Sequence, residues 1–304
     1  MFEFVFKMFA EGSATLPAKG MRAVGDQLAR TAEEKGAEVR YEAAVLSVAE
    51  RKESGEQGTG YTVECEEGGQ KKTYTASSVV VATSGPAAVD LLFSSSPSLN
   101  LLPSSVKSPP APTLTRSVGC VYYSLKPSAT LPVTEPILVL NGMSSSSKST
   151  PVNNLCFPSV VSNTYAPPGH HLASVTILSK ALDSFRPSPG APVDEAALDK
   201  AVREHLARDF FPNLSDEILS SSTWTFLKVY DLPKAVPAQF STPSPANSDS
   251  PNNTELSGVP LPPGLLVAGD HTATATLNGA IDSGTKAAEL LRDYYSLESL
   301  LRAS

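Results

Sequence analysis

Cysteine is scarce in this chain: Cys65, Cys120 and Cys156 are its three, widely separated and without a CxxC pair. An odd, dispersed set argues against a secreted disulfide framework and fits a reducing compartment. Histidine is almost as sparse, with four residues. His170 and His171 are adjacent, so their rings diverge in a strand, and no cysteine or carboxylate stands at ligand spacing beside them, which argues against a metal site. His205 is expected on a helix surface, and His271 follows a Gly-Asp pair. Basic excess is also missing: 24 Lys and Arg face 31 Asp and Glu, a formal charge of -7, with no Lys/Arg run. Nothing supplies the positive face that a nucleic-acid backbone requires, so no nucleic-acid partner is expected.

Long apolar runs are lacking as well. The N-terminal MFEFVFKMFAEGSATLP is apolar for about nine residues and contains Glu3 and Lys7, well short of the roughly 20 residues of a bilayer span and unlike a signal peptide. It reads as a chain that starts inside a domain, and any membrane contact would be peripheral. No Gly-x-Ser-x-Gly elbow nominates a nucleophile. Gly142-Met-Ser-Ser-Ser-Ser-Lys148-Ser149 imitates a phosphate-binding loop, but Ser147 stands where the second glycine must be, so the backbone cannot wrap a phosphate in that way. The sequons Asn213-Leu-Ser and Asn252-Asn-Thr are short patterns expected by chance.

What is there suits a folded protein: 304 residues with 41% apolar content provide for a sizeable core or two domains. Met21, Val24, Leu28 and Ala32 keep helical spacing, and Gly36 ends that helix. The stretch AEVRYEAAVLSVAE alternates as a strand, GTGYTVECEEGGQKKTYTA predicts a hairpin closed at Gly68-Gly69, and SSVVVATSG a short buried strand. From about residue 93 the texture becomes Ser/Pro-rich, and TRSVGCVYYSL, PILVLNG, NNLCFPSVV and HLASVTILS predict a second, sheet-based region. In VDEAALDKAVREHLARDF, Leu198, Val202, Leu206 and Phe210 form one apolar stripe, with Asp194 and Glu195 favouring the first turn of a helix. WTFLKVYDLPKAVP reads as a strand ending at prolines. The inserts SSSPSLN, MSSSSKST and TPSPANSDSPNNTE are expected to be exposed loops without chemistry.

The chemistry gathers in GDHTATATLNGAIDSGTKAAELL, from Gly269 to Leu291. LPPGLLVAGD predicts a buried strand delivering Asp270 to a loop at its carboxyl end, where α/β sheets bind ligands. A carboxylate there can accept hydrogen bonds from ribityl or ribose hydroxyls. Thr276, Leu277, Asn278, Gly279 and Ala280 then open a helix whose free N–H groups and dipole suit a pyrophosphate. Gly279, Ala280, Ser283, Gly284 and Ala287 keep one face thin. The spacing serves equally for an ordinary helix packed through small residues.

Three segments in order, LPAKGMRAVGDQLARTAEEKGAEVRYEAAVLSVAE, SSVVVATSGPAAVDLL and GLLVAGDHTATATLNGAIDSGTKAAELL, make the chain resemble the flavin-containing amine oxidase and phytoene-desaturase-like superfamily of FAD-dependent oxidoreductases. The regions NNLCFPSVVSNTYAPPGHHLASVTIL and WTFLKVYDLPKAVPAQ are similar to that family's substrate domain. The resemblance implies a mixed α/β fold: an incomplete Rossmann-like FAD-binding domain with an inserted sheet-based substrate domain. Residues 1–92 would be the second segment of the FAD-binding domain, 93–258 the substrate region and 259–304 the C-terminal FAD-binding segment. By the same resemblance Val45 meets the adenine end of FAD through its backbone, and Asp270 bonds the phosphate-ribityl region with Gly269 allowing close approach. Leu277, Asn278, Gly279 and Ala280 line the helix N-terminus, and Thr83 and Gly85 lie near the cofactor. The implied chemistry is hydride removal from a small hydrophobic or amine substrate to flavin, with no acid or base assigned.

One departure is large: the family opens with a strand–GxGxxG–helix unit that holds the pyrophosphate, and no GxGxxG occurs in this sequence. The nearest approach, Gly58-Thr-Gly60, has Val63 in the last glycine's place. The expectation is therefore half of a flavin site, either as part of a longer enzyme or as an inactive binding or regulatory fragment pairing with a full-length relative. A non-flavin nucleotide or polyol is the third possibility. An expected loss of a central strand would expose sheet edges and lower solubility. The address is expected to be intracellular, cytoplasmic or plastid.

Overall fold

The computed structural model describes residues 15–52, 59–96, 99, 101, 114–142, 147–238 and 252–303. Along the chain, helix α1 (Arg22–Glu34) precedes strands β1 (Ala43–Lys52), β2 (Thr59–Glu67), β3 (Gln70–Ala76) and β4 (Val79–Val81), then the short helix α2 (Gly85–Val89). Strands β5 (Thr115–Leu125), β6 (Val139–Leu140) and β7 (Val152–Cys156) follow, with α3 (Pro158–Val161), β8 (His171–Leu178) and α4 (Ser179–Asp183). Helices α5 (Glu195–His205) and α6 (Ser215–Leu219) lead to β9 (Trp224–Pro237), the small hairpin β10 (Glu255–Leu256) and β11 (Val259–Pro260), β12 (Leu265–Val267) and helix α7 (Leu277–Ala303). The chain divides into two units, each discontinuous: residues 1–39 with 117–235, and 40–116 with 236–304.

The first unit is built on a five-stranded sheet of order β6-β7-β8-β5-β9. Alternation sends Val121, Tyr123, Leu125, Val175 and Ile177 to one face, where they pack with Leu198, Val202 and Leu206 of the α5 stripe and with Trp224. The Asp194 side chain accepts from Ala197 N–H at 3.0 Å, a helix N-cap of the expected kind. On the other face the intervening residues Cys120, Tyr122 and Ser174 are only partly covered. The turn before α1 is tied down by Tyr165 Oη donating to Pro17 O at 2.8 Å. Helix α1 forms as its spacing predicts and Gly36 takes φ 95°, yet its apolar stripe is uncovered, with Met21 and Leu28 each more than half exposed.

In the second unit β1, β2 and β3 make an antiparallel meander, and Gly68 and Gly69, at φ 58° and 76°, close the predicted hairpin. Both residues sit in the left-handed region that a two-residue hairpin turn demands. Strands β4 and β12 pair in parallel, Leu265 opposite Val79 and Val267 opposite Val81. Val81, Leu265 and Val267 pack with Val48, Tyr61 and Leu92, and Tyr61 Oη donates to Pro263 O at 2.7 Å. β12 is buried throughout, as its sequence predicts, whereas β4 leaves Val80 exposed. Val267 N–H donates to Asn253 O at 2.9 Å, so the segment before the β10–β11 hairpin covers one edge of β12.

Three sequence expectations are corrected here. His205 is fully buried, its Nδ1 accepting from Val152 N–H at 3.2 Å. It falls seven residues after Leu198 and three after Val202, on the buried stripe itself. The insert SSSPSLN contributes to the core: Leu99 is buried, and buried Ser96 accepts from Val48 N–H through Oγ at 2.8 Å. The end of TPSPANSDSPNNTE also has a structural role, because Asn253 is buried among polar partners described below. The first four residues of MSSSSKST and most of the third insert lie outside the described residues.

Candidate functional site

The carboxyl ends of the two parallel strands form a corner of the second unit. Because β4 and β12 run side by side, their following loops emerge together: a side chain at Gly269 would lie 3.6 Å from Thr83 O. Gly269 itself has φ 149°, backbone territory that side chains rarely tolerate. A Cβ there would also stand 2.7 Å from His271 Nδ1, so glycine is what lets the loop turn over its own histidine. Gly85 is buried at the start of α2.

One hydroxyl organises the loop. Asn253 Nδ2 and Gly269 N–H each donate to Ser283 Oγ at 3.0 Å. With its two lone pairs so used, Ser283 must give its own proton to Thr272 Oγ1, 2.6 Å away, and Thr272 Oγ1 donates to Gly269 O at 2.9 Å. Each hydroxyl proton here has one assignment, while Asn253 Nδ2 reaches Ser283 O as well, at 3.1 Å. Asn253 also donates to Val267 O at 2.7 Å. The knot thereby pins loop 269–272 to β12 on one side and to α7 on the other.

Around this knot, polar groups are left over. Both ring nitrogens of His271 and the Oδ1 of Asn253 are buried without a hydrogen-bond partner among the described residues. Burial pushes the His271 imidazole below its ordinary pKa, and the neighbouring Asp270 carboxylate offsets this only in part. The ring is therefore neutral near pH 7, carrying one donor and one acceptor. Asp270 is half-buried and hydrogen-bonds none of the described residues. Buried polar atoms are normally satisfied, so a cluster of unmet ones marks a place where another polar molecule can bind.

The predicted helix N-terminus divides in two. Thr276 Oγ1 accepts from Gly279 N–H at 2.9 Å, and Ala280 N–H donates to Thr276 O at 3.0 Å. The Cα of Gly279 lies against the loop, where an added Cβ would meet Thr274 O at 2.0 Å. Gly279 and Ala280 are thus committed to the protein's own turn. Leu277 and Asn278 are exposed, and their N–H groups, which have no partner among the described residues, are the open donors at the positive end of α7. A methyl group added at Gly284 would meet nothing within 4 Å, so that stretch of the helix is open.

Val45 stands apart from this loop. It is 47% exposed on β1, opposite Cys65 and beside a bulge before Ser47. Its strand joins the corner through Val48, which packs with Val81 and Val267. The sequence brings Thr83, Gly269, Asp270 and the α7 start to one place and marks Ser283 only as a small residue of the helix face, whereas Asn253 and Thr272, which hold the loop together with the Ser283 hydroxyl, were missed. No cluster of potential metal ligands occurs among the described residues. No helix among them is long and apolar enough to cross a membrane.

For a flavin dinucleotide the corner offers a carboxylate for hydroxyl groups, two helix N–H donors for a phosphate and an unpaired imidazole, a partial set that fits such a group without enclosing it. No curated protein matches the chain. The family model of flavin containing amine oxidoreductases matches residues 2–292. Among solved structures, putrescine oxidase is 16% identical with a TM-score of 0.55, covering 90% of this chain and 53% of its own. An oxidoreductase from Methanosarcina mazei is 15% identical with a TM-score of 0.54, covering 89% and 54%. A protein from Pyrococcus furiosus is 14% identical with a TM-score of 0.51, covering 90% and 53%. At such identities the likeness is one of fold, and the chain spans about half the length of these structures. The mixed helix-and-sheet architecture and the match along nearly the whole sequence place the chain in the flavin-containing amine oxidoreductase family, whose cofactor is FAD.

Proposed function

We propose that this chain contributes one half of the FAD site of an oxidoreductase that takes hydride from a substrate C–H bond, the other half coming from a GxGxxG-bearing segment not contained in these 304 residues. The observation that carries the proposal is the set of unmet polar groups at the carboxyl ends of β4 and β12. In this reading Asp270 accepts hydrogen bonds from ribityl or ribose hydroxyls. Leu277 and Asn278 present their N–H groups to a phosphate, and the neutral His271 ring adds a donor and an acceptor. Ser283, Thr272 and Asn253 act indirectly by fixing the loop. Gly279 serves by letting that loop close on the helix, and Val45 belongs to the adenine side through its backbone. The flavin, when bound, supplies the hydride acceptor.

A second reading is favoured by the missing GxGxxG: the chain alone is an inactive binding or regulatory fragment that pairs with a full-length relative. The visible spectrum of the purified chain after incubation with FAD and desalting separates the two, measured beside a version carrying an upstream strand–GxGxxG–helix unit. Flavin retained by the longer version and lost on Asp270→Ala supports the proposal. Failure of the longer version to retain flavin would sink it, and retention by the short chain alone would show that the corner suffices.

A further inference from the structure

The open face of the first unit's sheet contains a cavity of about 450 Å³, within the size range of small-molecule sites. Leu172 of β8 and Leu227 and Leu232 of β9 form apolar walls. The rings of Tyr122 and Tyr230 meet edge to face at 5.7 Å and add an aromatic surface. Leu227, Tyr230 and Leu232 remain about half exposed, so these walls are not consumed by the unit's own core. The cavity lies on the face opposite the covered one, because Cys120 and Tyr122 alternate with the buried Val121 and Tyr123.

Its one charged lining residue is Lys228. The ammonium sits over the Tyr230 ring at 5.0 Å, held by the ring quadrupole rather than by a countercharge. No carboxylate among the described residues forms an ion pair with it. The acidic residue nearest in sequence, Asp231, is bound to Arg186 Nη2 at 2.6 Å and is not free to neutralise it. A cationic ligand would bring a second positive charge into an apolar cavity that already holds one, whereas an anionic end group would pair with Lys228.

We propose that this cavity binds an elongated apolar molecule bearing an anionic group, its apolar body between Leu172, Leu232 and the tyrosines and its anion at Lys228. The inference deepens the oxidoreductase reading and rests on it for the word substrate: it assigns an apolar acid, and not an amine, as the substrate class. Binding itself does not depend on flavin.

Equilibrium dialysis of the full chain with dodecanoate, dodecanol and dodecylammonium, each below its micellar concentration, tests it. Dodecanoate is expected to bind about tenfold more tightly than dodecylammonium, with dodecanol between them. Lys228→Gln should bring the acid and the amine to within about threefold of each other. Leu172→Trp, which fills the cavity, should weaken all three by about tenfold where circular dichroism shows it folded. If Leu172→Trp does not fold, the Lys228→Gln ratio decides alone. Equal or tighter amine binding by the unaltered chain, a ratio untouched by Lys228→Gln, or no binding of any probe overturns the proposal. Flavin retention measured in parallel on the GxGxxG-extended version keeps the outcomes separable: acid-selective binding with no flavin retained by that version leaves this site standing and removes the oxidoreductase reading, and the reverse result does the opposite.

Discussion

Each unit contains a buried polar knot, and the two are finished differently. In the first, Arg203 gives Nε to Asp199 Oδ1 at 2.8 Å, Nη1 to Ile218 O at 2.7 Å and Nη2 to Trp224 O at 2.8 Å. Its guanidinium covers the Tyr123 ring, whose hydroxyl donates to the same Asp199 oxygen at 2.8 Å. Among the described residues of this unit, Trp224 Nε1 is buried without a hydrogen-bond partner and His205 Nε2 has only the Asp209 carboxylate, 3.4 Å away, so its unmet groups are single and scattered. In the second unit the Ser283 knot is complete within itself, but Asn253 Oδ1 and both His271 nitrogens crowd unpaired beside it. A closed knot locks a core, whereas an open one leaves capacity for a ligand.

The sharpest break should come in the closed knot. Arg203→Ala strands Asp199 and two carbonyls and is expected to cost about 3–5 kcal/mol in urea unfolding. A loss below about 1 kcal/mol would mean that the knot is decoration. In the open knot, Gly279→Ala must push Thr274 aside and should cost about 1–3 kcal/mol, with flavin retention by a GxGxxG-extended version reduced as the loop moves. Ser283→Ala strands the Gly269 N–H, while Asn253 Nδ2 keeps Val267 O and Ser283 O, and should cost a comparable or smaller amount, about 1–2 kcal/mol. It should also speed hydrogen exchange at Gly269, whose N–H loses its acceptor.

Acid should affect both units through their histidines. Burial lowers the pKa of His205 and of His271 below 6.5 in the folded protein, opposed in part by Asp209 and Asp270. The unfolded chain therefore takes up the protons first, so this stability is present above pH 6.5 and falls as pH drops through that value. The melting temperature should decline on that side, and His271→Gln should flatten the second unit's share of the decline while leaving that of His205. An unchanged profile would argue that the ring is already solvated. The smallest effect is expected at Gly284, where a methyl meets nothing within 4 Å. Gly284→Ala should stabilise the isolated chain by about 0.5–1 kcal/mol. Weakened flavin retention in the extended version would then show that something else lies along that stripe.

Much of this was legible because local patterns and burial agree. The Gly68-Gly69 hairpin, the Leu198–Val202–Leu206 stripe and the apolar β12 each follow from spacing and turn chemistry alone. The placement of the corner was readable for a similar reason: a strand that ends in Gly-Asp before a helix start fixes where Asp270 and Leu277 emerge. What escaped is polar and long-range. Ser96 and Asn253 sit in segments whose composition describes a surface, and each is held in the interior by partners distant in sequence: Val48 N–H for Ser96, Val267 O and Ser283 for Asn253. Composition averages over a segment and cannot single out such a residue. His205 was readable from its place on the α5 stripe, and residue type hid it.

The division of the chain also orders events in time. The bond from Tyr61 to Pro263 spans 202 residues, and β4 finds its parallel partner only when β12 arrives near the end of the chain. Strands β5 to β9, by contrast, are complete once Pro237 has been made. During synthesis the first unit's sheet can close early, while the meander and β4 wait with their apolar faces open for the C-terminal segment. The corner at the carboxyl ends of β4 and β12 can thus form only after the first unit's sheet, and the period before it forms is when a chaperone would have most to hold.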